Sequence, residues 1–251
     1  VLIFIVVLNK HFTGYTLVMA LGALALAGGN LLWLFGWSVS RFVVWWAAFL
    51  ILTITGERLE LSRMVKISAL QKNLFSLITI VYLAGLAASL FSWQLGVRIT
   101  GAGALAFAFW LFRNDIARRT VRQTGLTRYI AVSMLGGYFW LAVSGVIGLS
   151  YGAYPAGPIY DAMLHAVFVG FVFSMIFAHA PIIFPAILEI DIPYRAIFYL
   201  PLFLLHISLI LRVGGEMIGW DWTRLWGGLL NEIAVLYYLL LIAPINLLHK
   251  K

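Results

Sequence analysis

The chain has 251 residues, 63% of them hydrophobic and 10% charged, with a mean hydropathy of +1.01. Soluble domains carry roughly 25% charged residues, and a chain this short cannot enclose so much apolar surface in one core, which excludes a water-soluble globule. The formal charge of +8 sits at the ends of apolar runs instead of on a basic patch interleaved with aromatics, which argues for a lipid bilayer and against nucleic acid as partner.

There is no cysteine, so this chain supplies no disulfide, iron–sulfur ligand, thiolate haem ligand or covalent c-type haem attachment. The opening VLIFIVVL is too short to cross about 30 Å of hydrocarbon and reads as the end of a helix whose beginning is missing. No small-residue cleavage site follows it, which argues against a signal peptide.

Eight apolar runs of spanning length follow, at Phe12–Gly36, Val39–Gly56, Leu74–Trp93, Leu95–Phe112, Tyr129–Leu149, Ile159–Leu188, Ala196–Val213 and Leu225–Leu248. The expected fold is all-α: a polytopic transmembrane helical bundle of eight full spans plus the partial N-terminal one, in a single domain over residues 1–251. No internal repeat or separating linker is visible. Two polar connections stand out, near residues 57–72 and 113–128. The first, with Glu60 and Arg63 at i,i+3, reads as a short amphipathic helix carrying a weak surface pair. The second is strongly basic and suits anionic headgroups or an acidic docking partner.

These spans place thirteen of the 17 Lys and Arg on one side, including Lys250 and Lys251. By the positive-inside rule that side, with the C-terminus, is cytoplasmic, and the expected location is the inner (plasma) membrane of a prokaryote. Eight of the ten tryptophans fall near the opposite face, as an interfacial aromatic belt requires. Close glycines, such as Gly28 and Gly29, Gly101 and Gly103, or Gly136 and Gly137, suit tight helix packing.

Ionisable groups inside hydrocarbon are costly and point to function or pairing. Three histidines qualify. His165 and His179 lie 14 residues apart on one span, which on an α-helix is one face and about 21 Å of rise. His206 lies on the next span, at a depth expected to match His179 across the short connection EIDIPYR. The pair His179 and His206 could ligate one haem iron or another metal, with Pro181, Pro185 and Pro201 kinking their helices to make room. Alternatively, each histidine donates to a carbonyl one turn away or to a hydroxyl such as Ser174 or Ser208. Arg212, read as ending its helix, and Glu232, in the last span, are expected to form a structural ion pair. Asp161 opens its helix, where the dipole favours a carboxylate.

The segment LHAVFVGFVFSMIFAH, through Leu164, His165, Ala166, Val169, Gly170 and Met175, resembles the NnrS family of haem- and copper-associated membrane proteins linked to nitric oxide metabolism. Leu211, Arg212 and Val213 resemble a second block of that family, and the two cover about a third of the chain. The resemblance implies a fold similar to the catalytic subunit of haem–copper oxidases, with His165 as a metal or haem ligand. The family's glycine-histidine-threonine-glycine segment is absent from this sequence, and so are the adjacent paired histidines of a haem–copper binuclear centre.

The function expected is an integral membrane subunit of a respiratory or electron-transfer complex, with haem b as cofactor and other membrane or peripheral proteins as partners. A cofactor-free anchor or scaffold subunit is the alternative, and a transporter fits less well. No nucleophile motif, phosphate loop or carboxylate cluster marks an enzyme acting alone.

Overall fold

A computed structural model of the protein describes residues 2–189 and 193–242. The expected end of the last span, Lys250, Lys251 and the C-terminus lie outside the described residues. The helices are α1 (Leu2–Lys10), α2 (Gly14–Leu34), α3 (Val39–Leu61), α4 (Ala69–Phe91), α5 (Trp93–Asn114), α6 (Ala117–Thr120), α7 (Gly125–Tyr151), α8 (Pro158–Leu164), α9 (Phe173–Leu188), α10 (Tyr199–Ile218) and α11 (Asp221–Ile242). A π-helical segment, His165–Val172, joins α8 to α9. Eight helical spans among the described residues are long and apolar enough to cross a bilayer, so the chain is an all-α polytopic membrane protein.

The residues divide into two compact units. One comprises the chain to Ile116 together with Leu141–Met163; the other comprises Ala117–Trp140 and the chain from Leu164 onward. In the first unit α2 packs on α3 and α4 on α5, and small residues set how closely they approach. Gly28 and Gly29 receive the rings of Trp45 and Trp46, and a Cβ on either glycine would come within 2.9 Å of an indole carbon. Gly101 of α5 meets Gly145 and Gly148 of α7 backbone to backbone, where a Cβ on Gly101 would lie 2.5 Å from the Leu149 nitrogen. The expected packing role of these glycines is therefore realised. Phe75, Phe107 and Trp110 form an aromatic cluster between α4 and α5, and the Trp110 indole donates to the Gln71 carbonyl.

The connection at 57–72 is not a separate helix. Residues 57–61 continue α3, a single 3-10 turn covers Ser62–Val65, and Lys66 in the left-handed region (φ 53°) ends it. Ser68 then caps α4 in a reciprocal box with Gln71, the Ser-x-x-Gln spacing doing what such a box requires. No Glu60–Arg63 pair forms. Arg63 instead sits over the Tyr15 ring at 4.4 Å, while Glu57 and Arg58 approach at 3.8 Å.

In the second unit α10 packs along α11 and touches the π segment, and α9 reaches α11. Phe177 and Tyr238 stack at 3.7 Å with an interplanar angle of 13°, and the Tyr238 hydroxyl donates to the Phe177 carbonyl at 2.6 Å. Two sequence expectations fail on α10. Pro201 falls in its first turn, where a missing N–H is harmless and no kink is needed. The helix also continues past Val213 to Ile218, so Arg212 lies inside it and does not end it.

Candidate functional site

The second unit carries all three membrane histidines. His206, half-buried on α10, accepts a hydrogen bond at Nδ1 from the Trp140 indole of α7, 3.0 Å away. An indole nitrogen can only donate. The Nδ1 lone pair is therefore occupied, and the neutral ring holds its proton on Nε2. That nitrogen rests against α7, since a Cβ on Gly136 would stand 2.5 Å from it. Trp140 is itself seated on a glycine: a Cβ on Gly170 of the π segment would come 2.4 Å from its Cβ and Cγ. A ligating histidine normally donates from its outer nitrogen and keeps the lone pair for the metal. His206 has the reverse arrangement, with its proton and not its lone pair on Nε2.

His179 has the opposite tautomer. Its Nδ1 donates to the Met175 carbonyl one turn back, at 2.7 Å, which leaves the lone pair on Nε2. The expected matched pair thus divides: His179 holds the ligand tautomer and His206 does not.

His165 opens the π segment. The wider turn of a π-helix takes more residues per revolution than an α-helix. The 14-residue interval to His179, which on a continuous α-helix would place both rings on one face, no longer does so. That overturns the face-sharing expected from spacing. The structure instead brings His165 to α10, where its ring nitrogen and a Glu216 carboxylate oxygen lie within 4.8 Å of each other.

Glu216 is paired with Arg212. The guanidinium Nε donates to Oε1 at 2.9 Å, with the carboxylate side chain fully out of contact with solvent. This replaces the expected Arg212–Glu232 pair, because the continuing helix carries Glu216 round one turn beyond Arg212. Gly227 of α11 lies against the Arg212 backbone, and a Cβ there would come 2.4 Å from the Arg212 nitrogen. Beside this contact Ser208 hydrogen-bonds Asn231. Glu232 is exposed on α11.

The site residues missed by the sequence reading are Trp140 and Glu216. A signal existed for each. Trp140 falls mid-span, away from the belt that holds most of the other indoles, and a buried indole N–H normally finds an acceptor. Arg212 and Glu216 stand at i,i+4, concealed by Gly214 and Gly215, which look like a helix end.

Residues 1–247 match the family described as Domain of unknown function (DUF8744), and the chain belongs to that family. The description carries no activity and names neither NnrS proteins nor haem–copper oxidases. No curated protein and no solved structure matches the chain.

Proposed function

We propose that this DUF8744 member is an integral membrane subunit of an electron-transfer complex in a prokaryotic inner membrane, C-terminus cytoplasmic, and that its own metal donors are His165 and Glu216. One observation carries the reading: an imidazole and a buried carboxylate, His165 and Glu216, lie within 4.8 Å of each other. Imidazole with carboxylate suits copper, iron, zinc or manganese, and the first two would serve electron transfer. Accepting from Arg212 does not disqualify Glu216, because an ionised carboxylate has about four lone-pair sites. The resemblance around His165 and Arg212 supports the same position. Haem b between His179 and His206 is the weaker placement, given the proton on His206 Nε2.

Elemental analysis and a reduced-minus-oxidised spectrum of the purified protein test this. The expected result is a stoichiometric transition metal lost in His165→Ala and kept in His179→Ala and His206→Ala. A haem band lost in both of the latter variants would return the site to the two-histidine pair. Intact protein with neither metal nor haem would overturn the electron-transfer reading and leave a scaffold subunit.

A further inference from the structure

Glu232 lies eleven residues into α11, about 16 Å of rise from the helix start and six residues deeper than Trp226, so its carboxylate stands within the hydrocarbon. It is exposed. Among the described residues no ion pair or hydrogen bond reaches it: Arg212 bonds Glu216, and Arg224 bonds Asp221 at 3.2 Å. An ionised or even a protonated carboxyl left facing acyl chains is expensive.

The residues around it form a pattern. Trp222, Leu225, Leu229, Glu232, Leu236 and Leu239 follow one another at intervals of three and four, the 3.5-residue repeat of a seam on which a second helix packs. The four leucines are 64%, 47%, 59% and 49% exposed, so none of the described residues covers the seam. The face that α11 turns inward is a different one, built of Gly227, Asn231, Ala234, Tyr238 and Ile242. Helix α11 is also the least buried of the eight spans, at 28%.

We infer that this seam receives a transmembrane helix of another subunit, carrying a Lys or Arg at the depth of Glu232. The inference rests on the reading of the chain as one subunit of an assembly and is independent of the metal site. Leucines alone would be satisfied by lipid; the charge is what demands a partner and sets its register, as one polar seam residue does in coiled coils. A second copy of this chain is disfavoured by symmetry. Two copies inserted the same way round pair about an axis along the membrane normal, so Glu232 would meet Glu232, like against like.

The test uses the full chain in its native membranes, with a photo-crosslinking residue replacing Leu229 or Leu236 and captured chains identified by mass spectrometry. Both positions should capture one membrane protein that has a Lys or Arg near the middle of a span. Glu232→Lys should cut capture by about tenfold or more, and changing the partner's basic residue to Glu should restore it. Thermal unfolding of Glu232→Lys alongside shows that the variant is folded. Capture of a second copy of this chain, capture unchanged in Glu232→Lys, or a partner without a basic residue at that depth overturns the inference while leaving the subunit reading intact. No protein captured at either position overturns both.

Discussion

Trp140 of α7 donates its indole hydrogen to His206 of α10 across 3.0 Å, and this one bond decides which nitrogen of the histidine keeps a proton. Because Trp140 is a donor only, replacing it with Phe removes both the bond and the tautomer preference. The expected cost is about 1 kcal/mol, read as a lowered unfolding temperature in detergent. A double-mutant cycle of Trp140→Phe with His206→Leu should show a coupling of similar size. Additive losses would mean that the two rings do not interact.

The same contact depends on two glycines. Alanine at Gly136 would place its Cβ 2.5 Å from His206 Nε2, and alanine at Gly170 would come 2.4 Å from Trp140. Each substitution should destabilise by about 1–3 kcal/mol through overpacking. Alanine at Gly214, which has nothing within 4 Å, should be close to neutral. Unfolding midpoints of the three variants, side by side, check the order.

How much of this was legible beforehand follows from what hydropathy can register. The eight spans, the polar connections and the packing glycines came from patterns every stretch of the chain carries on its own. The π segment at His165–Val172 did not, because it changes helical phase without changing composition, and the shared face of His165 and His179 failed with it. The span was read as ending at Val213, yet spanning helices tolerate glycine and α10 runs on through Gly214 and Gly215, so the pairing of Arg212 was misread. Which proton His206 carries depends on Trp140, 66 residues away, and no local pattern encodes that.

Within the Arg212–Glu216 pair the carboxylate is the better shielded member. Glu216→Leu should remove the guanidinium's carboxylate partner and cost about 3–5 kcal/mol, whereas the double replacement Arg212→Met with Glu216→Leu should recover much of the loss. Glu232→Gln in the isolated protein should change stability little. Three unfolding curves in one detergent discriminate the pairing found here from one between Arg212 and Glu232.

Tyr238 contributes in two ways that substitution can separate. Phe at this position keeps the stack on Phe177 but removes the hydroxyl that reaches the Phe177 carbonyl, for an expected loss of about 1 kcal/mol. Leu removes the ring as well and should cost clearly more. Equal losses for the two would assign the whole effect to the hydrogen bond.

Both members of the Arg212–Glu216 pair ride on one helix, which bears on how the chain is built into a membrane. As α10 leaves the ribosome it brings its own counter-charge, and the insertion machinery meets a segment already close to neutral. Helix α11 follows with a carboxylate that nothing synthesised before it within this chain cancels, at a cost of about 2.5–3.5 kcal/mol for an acid at the centre of a span. The first of these two segments can settle at once; the second has reason to wait for company.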